Sequence, residues 1–251
     1  MISIPDAEPG YVYLVGAGPG DPSLLTLRAA HLLKTADVIL PDDLVSDEIL
    51  SLASPTANVI PVGKRCGQPR ITQAGIHELI LEHARVGSSV VRLKSGDPLV
   101  FGRASEEIGF LRENSIPFEI VPGISTAFAV AASLETPLTD RARASKLILA
   151  TAHHAEGKVS LTPSWSGAFP DEATLVIYMP GRNFEALAAD LIASGIAAQT
   201  PCTAVSRASS PEEQVHVATL GTLSSANVGP APVILLIGPE IAGSTIKPVA
   251  L

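Results

Sequence analysis

The sequence is poor in cysteine, in aromatic residues and in long apolar runs. Its 251 residues include two cysteines, Cys66 and Cys202, and aromatic residues make up only 4%. Two cysteines are too few for a disulfide scaffold, which favours free thiols in a reducing cytoplasm. The longest apolar runs, Pro232–Ile237 and Ala127–Ala132, fall far short of the roughly 20 residues that cross a bilayer. Met1–Gly10 lacks the apolar core of a signal peptide, so we expect a cytoplasmic protein with no membrane partner.

Positive charge is also scarce. Seventeen Lys and Arg residues stand against 25 Asp and Glu residues, which gives a net charge of −8. Such a chain is a poor partner for duplex nucleic acid, which is held mainly by basic residues that neutralise phosphates. The charge is unevenly spread, however, because residues 64–103 hold seven basic and three acidic residues. We expect this basic stretch to steer an anionic small molecule, although a solvated face without function is the alternative.

What the sequence does have is a high apolar content, 46%, arranged in a repeating order. Short apolar runs such as Val12–Val15 and Val90–Leu93 alternate with amphipathic segments such as Gln73–Ala84. The runs predict buried strands and the segments predict helices, an order typical of α/β folds with parallel strands. The second half of the chain repeats this order, so parallel strands are expected there as well.

Two interruptions of the pattern predict how the chain is divided. Pro122-Gly123 punctuates the alternation near its middle, which predicts two α/β domains, residues 11–122 and 123–251. The stretch Ala155–Glu172 is polar and rich in Pro, Gly and Ser, and we interpret it as a long loop near a functional site.

A glycine-rich turn, Gly16-Ala17-Gly18-Pro19-Gly20-Asp21, follows the first predicted strand. Small residues in such a turn let a ligand approach the backbone closely. The dinucleotide fingerprint requires a third glycine where Asp21 stands, and Pro19 removes an N–H that a phosphate would use. The turn therefore indicates either a site for a ligand other than a pyrophosphate or a tight turn that binds no ligand.

This turn opens an ordered series of motifs that resembles the tetrapyrrole methyltransferases and covers nearly the whole chain. The motifs are Val15–Pro22, Leu24–Thr26, Ala36–Val38, Asp42 with Leu44–Ser46, Val62–Arg65, Arg92–Pro98, Val100–Arg103 with Glu106-Glu107, Val121–Ser125, Pro137–Arg141 and Tyr178-Met179. The resemblance implies the class III methyltransferase fold, with two α/β domains and a cofactor cleft between them. It also implies a homodimer, the usual assembly of the family.

The activity implied by the resemblance is C-methylation of a tetrapyrrole by S-adenosylmethionine, without a metal. Within the family the motifs match best the methylation of uroporphyrinogen III at C2 and C7, which gives precorrin-2 and S-adenosylhomocysteine. Ten residues match the cofactor-binding positions: Pro19, Ser95, Gly96, Asp97, Val100, Ser125, Thr126, Met179, Ala208 and Pro232. Adenine suits such backbone groups and apolar surfaces, and Asp97 offers a partner for the tail ammonium. Taken alone, each of these residues has a structural alternative. Asp97-Pro98 is also typical of an ordinary turn, and methionine, as at Met179, is common in protein cores.

The resemblance also assigns catalytic and substrate-binding residues. Asp42 and Lys64 match the proton acceptor and the proton donor, and Arg103, Glu106 and Arg141 match positions that contact the tetrapyrrole. A substrate rich in carboxylates suits guanidinium donors. Each residue has a structural alternative: a cap or turn role for Asp42, a solvated lysine for Lys64, and placement in the first turn of a helix for Glu106.

Three other functions stay open at this stage. The first is a later precorrin methyltransferase of the same fold, which product mass would distinguish. The second is a nicotinamide-dependent dehydrogenase in which Asp42 or Asp43 holds the ribose, and Asp21 argues against it. The third is a non-catalytic binding module, which the joint presence of the matched acidic and basic residues disfavours. His153 and His154 are interpreted as loop residues near the cleft, not as metal ligands.

Overall fold

The structure is a computed structural model that describes residues 3–63, 71–152, 169–170, 172–225 and 227–241. The described residues fall into two compact units that divide between Ser125 and Thr126. Each unit has a five-stranded sheet with helices, which confirms the predicted α/β class. The domain limits drawn from the sequence, 11–122 and 123–251, stay predictions. In the described part of the chain, no helix has the length and apolar character that a bilayer crossing needs.

The first unit contains a sheet in which every neighbouring pair of strands is parallel. Its strands are β1 (Val12–Gly16), β2 (Val38–Pro41), β3 (Asn58–Val59), β4 (Val90–Lys94) and β5 (Phe118–Val121), in the order β3-β2-β4-β1-β5. Its α-helices are α1 (Leu27–Thr35), α2 (Asp47–Leu50), α3 (Gln73–Arg85) and α4 (Ala104–Glu113), and a 3₁₀ turn covers Pro22–Leu24. This arrangement confirms the parallel α/β order predicted for the first half.

Burial explains why this sheet forms. All five residues of β1 and all five of β4 are buried, as expected for parallel strands covered by helices on both faces. One apolar cluster includes residues of α1 and α2, and a second includes residues of α3 and α4. Helices α1 and α3 start at side-chain caps, because the hydroxyl oxygens of Thr26 and Thr72 accept the N–H groups of Ala29 and Gly75.

The second unit contains a mixed sheet. Its strands are β6 (Lys146–Thr151), β7 (Ala173–Tyr178), β8 (Pro201–Ser206), β9 (Gln214–Thr219) and β10 (Val233–Ile237), in the order β6-β7-β10-β8-β9. Its helices are α5 (Thr126–Ser133), α6 (Phe184–Ala193) and a 3₁₀ helix, Leu220–Ser225. Only the β6–β7 pair of this sheet is parallel, so the prediction of parallel strands in the second half is wrong.

The sequence analysis did not predict β9. This strand lies at the edge of the sheet and is half-buried, and it alternates Gln214, His216 and Ala218 with apolar or β-branched residues. Its pattern carries too little apolar signal to separate it from a loop. Of the long loop predicted at 155–172, only Phe169, Pro170 and Glu172 are described.

Candidate active site

The carboxyl ends of four neighbouring parallel strands form one edge of the first sheet. Crevices at this edge are the usual ligand sites of open α/β sheets. The predicted site residues at this edge are Pro19 after β1, Asp42 after β2, Ser95, Gly96, Asp97 and Val100 after β4, and Ser125 after β5. The first unit therefore brings together residues from four separate motifs of the sequence.

Four glycines bring the backbone of these turns into contact. A Cβ atom on Gly16 would lie 2.5 Å from the Gly123 nitrogen and 2.7 Å from the Gly96 oxygen, closer than real Cβ atoms approach. Gly18 and Gly96 exchange two backbone hydrogen bonds, with N–O distances of 3.2 and 2.7 Å. The turns after β1, β4 and β5 thus present peptide groups and small side chains, which a ligand can approach directly.

The carboxylate of Asp97 ties two of these turns together. Its Oδ1 accepts the backbone N–H of Leu99 at 2.8 Å, and its Oδ2 accepts the N–H of Gly123 at 3.1 Å. The side chain therefore orders the turn after β4 and the segment after β5, in addition to any contact with a bound ammonium.

Asp42 lies at the end of β2 and pairs with a buried arginine. Arg92 of β4 is only 2% exposed, and its Nη2 donates to Asp42 Oδ1. Its Nη1 donates to two backbone carbonyl oxygens, at 3.0 and 3.3 Å. Asp42 does not cap α2, because Ser46 does so. The predicted proton donor, Lys64, lies outside the described residues.

A second acid, fully buried, lies behind Asp42. Glu107 of α4 is fully buried, and its Oε1 accepts a hydrogen bond from Arg92 Nε at 3.0 Å. Its Oε2 lies 3.0 Å from Lys94 Nζ. Burial, reinforced by the charge of Arg92, lowers the pKa of Lys94, while Glu107 and Asp42 act in the opposite direction. Asp42, Arg92, Glu107 and Lys94 form a continuous chain of ion pairs, which we call the buried charge chain.

Arg103 and Glu106 pair with each other at the exposed start of α4. The guanidinium makes two hydrogen bonds to the carboxylate, at 2.7 and 2.6 Å. These bonds lower the pKa of Glu106 and raise that of Arg103. Arg103 also lines a depression of about 310 Å³ with Leu99, Phe101 and Ile108, among others.

The second unit places three of the predicted cofactor residues at one edge of its own sheet. Met179 follows β7, Ala208 lies just beyond β8, and Pro232 precedes β10. Because β10 runs antiparallel to both neighbours, it begins at the edge where they end. Met179 is 46% exposed there, so its side chain is not a core filler.

Two further predicted residues belong to the second unit. Thr126 is the first residue of α5 and is partly buried. Arg141 is exposed and lines an open depression of about 780 Å³ together with Thr139 and Ser145. This loop is held by Asp140, whose Oδ1 accepts the N–H groups of Ala142 and Arg143.

The structure corrects the expectation of a basic surface at residues 64–103. Arg92 and Lys94 are each only 2% exposed and are paired with acids, so they do not add to a surface charge. Of the other bases, Arg103 is paired with Glu106 and Arg85 is exposed, and Lys64, Arg65 and Arg70 lie outside the described residues.

The comparison with protein families identifies the family of the chain. Residues 11–224 match the sequence model of the Tetrapyrrole (Corrin/Porphyrin) Methylases. The chain belongs to the tetrapyrrole methylases. This confirms the family that the ordered motifs indicated.

Individual relatives of this tetrapyrrole methylase carry more specific names. It is 42% identical over 248 residues to the chloroplastic S-adenosyl-L-methionine-dependent uroporphyrinogen III methyltransferase of Arabidopsis thaliana, covering 97% of this chain and 67% of that protein. It is 43% identical to the uroporphyrinogen-III C-methyltransferase of Paracoccus denitrificans, with coverages of 91% and 80%. The chain spans only about half the length of several siroheme synthases that it matches at about 42% identity.

A solved structure supports the fold and the ligand. Uroporphyrin-III C-methyltransferase from Thermus thermophilus, complexed with S-adenyl homocysteine, superposes on this methylase with a TM-score of 0.76 at 37% identity. The match covers 92% of this chain and 93% of that one.

The residues present fit S-adenosylmethionine. The glycine-crowded turns of the first unit offer peptide groups without side chains, which suits the polar parts of an adenosine and an amino acid. His153 and His154 lie outside the described residues. Within the described ranges, no group of three or more His, Cys, Asp or Glu residues is arranged to hold a metal ion.

Sequence reasoning missed the buried part of the charge chain. In the sequence analysis, Lys94 and Glu107 are only parts of motifs, without a role of their own. A signal was present, because Arg92 and Lys94 occupy alternate positions of an otherwise apolar strand and so share one face. Two cations on a buried face require a buried anion nearby.

Proposed function

We propose that this tetrapyrrole methylase transfers methyl groups from S-adenosylmethionine to C2 and C7 of uroporphyrinogen III, giving precorrin-2. The observation that carries the proposal is the pairing of Asp42 with Arg92 at the strand edge that also bears the glycine-crowded turns. The names of the relatives from Arabidopsis and Paracoccus support the substrate.

The first part of the proposal concerns the cofactor. When bound, S-adenosylmethionine supplies an electrophilic methyl group for an electron-rich carbon of the macrocycle. In the first unit, Pro19, Ser95, Gly96, Asp97, Val100 and Ser125 hold it through backbone groups and short side chains. In the second unit, Thr126, Met179, Ala208 and Pro232 contribute apolar and small surfaces. Exclusion of water and alignment of the two reactants are the main contributions of these residues.

The second part concerns proton transfer. Asp42 accepts the proton that the macrocycle loses after it has gained the methyl group. Arg92 keeps this carboxylate oriented, because Nη2 is held on it while the other donors are fixed elsewhere. Such general base catalysis contributes about 10²–10⁴-fold. Lys64 is the proposed proton donor.

The third part concerns recognition of the tetrapyrrole. Arg103 and Arg141 donate to its carboxylates, and both guanidinium groups are exposed. Glu106 is held by Arg103 in the structure, so a substrate carboxylate that takes the guanidinium releases Glu106 for the pyrrole N–H groups. The bidentate geometry of the ion pair shows that Arg103 already has a conformation suited to a carboxylate.

We also propose a homodimer and a cytoplasmic location. The family resemblance supports the dimer, and the low cysteine content supports a reducing compartment. Light scattering on the purified chain tests the first, and a fluorescent fusion in the source cells tests the second.

The test of the proposed reaction is anaerobic incubation of the chain with uroporphyrinogen III and methyl-labelled S-adenosylmethionine. We expect a tetrapyrrole that is heavier by two labelled methyl groups. Absence of label from the tetrapyrrole contradicts the proposal. Transfer to a later precorrin, but not to uroporphyrinogen III, identifies a different member of the family.

A further inference from the structure

Glu107 is the most deeply buried acid of the charge chain, with no exposed surface, and neither the family motifs nor the comparisons give it a role. We propose that Glu107 is a positioning residue for methyl transfer, whose carboxylate, shared by Arg92 and Lys94, holds the Arg92 guanidinium against Asp42. This inference rests on the proposed function of Asp42 as the proton acceptor.

The contacts of Arg92 show why one more anchor matters. Its Nε donates to Glu107 Oε1 at 3.0 Å, and its Nη1 donates to the carbonyl oxygens of Leu40 and Leu93. Nη2 is left for Asp42. A planar guanidinium fixed at Nε and Nη1 has no freedom to rotate. Glu107 and the two carbonyl oxygens therefore determine the orientation of Nη2 toward Asp42.

The contacts of Glu107 show that it is itself held. Its Oε1 accepts hydrogen bonds from Gln73 Nε2 at 3.3 Å and from Lys94 Nζ at 3.2 Å, besides that from Arg92. Removing one partner of such a buried group is costly, because the remaining charges stay buried without compensation. The carboxylate is therefore held in one position, and it orients both cations in turn.

The charges of the buried charge chain are balanced. Two acids, Asp42 and Glu107, face two bases, Arg92 and Lys94. Among the ionisable groups of neighbouring elements, His77 of α3 is linked to the buried charge chain through Gln73, and Asp43 beside Asp42 is exposed. At the start of α4, Arg103 interacts electrostatically with Glu107 and Glu106 with Lys94, and Arg103 and Glu106 are paired with each other. A neutral group at position 107 leaves an excess positive charge beside Asp42.

Glu107 also connects the buried charge chain to the segment that bears Arg103. A Cβ atom on Gly102 would lie 3.2 Å from Lys94 Cε, so the turn before α4 packs directly on the stem of that lysine. Glu107 lies in the first turns of α4, one residue beyond Glu106. The same carboxylate thus fixes both the proposed base and the start of the helix that bears a proposed substrate residue.

The first test is the variant Glu107→Gln, with Glu113→Gln as its matched control on the exposed side of α4. We expect kcat of Glu107→Gln to fall about 10- to 100-fold, because a small misplacement of a catalytic group has such an effect. Its affinity for S-adenosylhomocysteine, measured by calorimetry, should stay near that of the unchanged chain. The control should match the unchanged chain in both.

The pH profile separates positioning from a merely structural role. Loss of the Glu107 charge leaves the positive charges of Arg92 and Lys94 less compensated, so the acid limb of kcat/KM should move to lower pH. Lys94→Met removes a positive charge and should move the same limb to higher pH. If Glu107→Gln fails to fold, as judged by thermal unfolding, Lys94→Met decides the question alone.

A double-mutant cycle completes the test. If Glu107 acts through Asp42, adding Glu107→Gln to Asp42→Asn should lower kcat little further. Additive losses, or an acid limb that stays in place in both single variants, overturn the inference. Failure of the unchanged chain to methylate uroporphyrinogen III would instead overturn the proposed function, so the two failures are distinguishable.

Discussion

The two sheets differ in what they bury. The first unit buries three charged side chains, Arg92, Lys94 and Glu107, beside its parallel sheet. In the described part of the second unit, the polar residues in the core are uncharged: Thr136, Thr174, Thr203 and Ser206. Glu240, whose side chain is 9% exposed, pairs with the exposed Arg143. Buried charge is costly and needs compensation, so this difference supports the proposal that proton transfer takes place at the first sheet.

The two units differ in their glycines as well. In the first unit, Gly16 and Gly123 lie so close to other backbone that no Cβ atom fits. In the second, a Cβ atom on Gly238 would be 3.1 Å from the hydroxyl oxygen of Thr174 and 3.2 Å from the nearest backbone atom. Close backbone packing thus accompanies the buried charges.

The largest expected effect is on Asp42. We predict that Asp42→Asn lowers kcat by about 10²–10⁴-fold, because the amide cannot accept the proton. Binding of S-adenosylhomocysteine, measured by calorimetry, should change little. The measurement of rate is label transfer to uroporphyrinogen III under anaerobic conditions.

A matched acid in the second unit serves as the control. Asp190 is exposed on α6, and Asp190→Asn should leave the rate and the affinity unchanged. Equal losses in the two variants would remove the distinction between the sheets.

The next effect in size concerns Gly16. Gly16→Ala should lower the free energy of unfolding by about 1–3 kcal/mol, because the new methyl group overlaps the backbone of Gly123 and Gly96. Gly238→Ala should cost less, because its neighbours lie further away. Urea denaturation of both variants measures the difference.

A glycine with free space around its Cβ position gives the reference for the variants of Gly16 and Gly238. Gly109 lies inside α4 with no atom within 4 Å of its virtual Cβ, so Gly109→Ala should stabilise the chain by about 0.5–1 kcal/mol. A similar loss at Gly16 and Gly238 would show that crowding does not distinguish the two units.

The first unit was more predictable from sequence than the second, for a physical reason. Parallel strands buried on both faces, such as Val12–Gly16, are continuous apolar runs that end at glycine, and their order dictates their direction. In the second unit, apolar runs such as Val233–Ile237 do not show whether the strand runs parallel or antiparallel to its neighbours, because the alternation of side chains is the same in both.

The same distinction holds within the candidate site. The place of Asp42 followed from its position at the end of a strand, since local order determines it. The pairing of Arg92 with Glu107 joins residues 15 apart on β4 and α4, and only tertiary packing brings them together. The signal for it was the presence of two cations in a buried strand, which indicates that a partner exists but not which acid it is.

A smaller effect is expected from a buried hydroxyl of the second unit. Thr203 of β8 is fully buried, and its Oγ1 has no hydrogen-bond partner among the described residues. Thr203→Val should therefore raise the free energy of unfolding by about 1 kcal/mol, because an unsatisfied polar group is removed from the core. Thermal and urea unfolding measure the gain.

The control for this gain is Thr136, whose buried hydroxyl donates to the carbonyl oxygen of Leu134 at 3.0 Å. Thr136→Val should destabilise the chain by about the same amount. If Thr203→Val is destabilising too, the Thr203 hydroxyl is not the unsatisfied group that the structure indicates.

The smallest effect concerns acid stability in the first unit. Asp37 Oδ2 accepts hydrogen bonds from the hydroxyl and the N–H of Ser89, at 2.7 and 2.8 Å, and these bonds lower its pKa below the ordinary 3.8. The stabilisation is present above the ordinary pKa and is lost as the pH falls through the lowered one. Because Asp37 is exposed, we expect Asp37→Asn to cost no more than about 1 kcal/mol at pH 7. The difference from the unchanged chain should shrink as urea denaturation is repeated at pH values below 3.8, and a constant difference would show that the carboxylate charge is not its source.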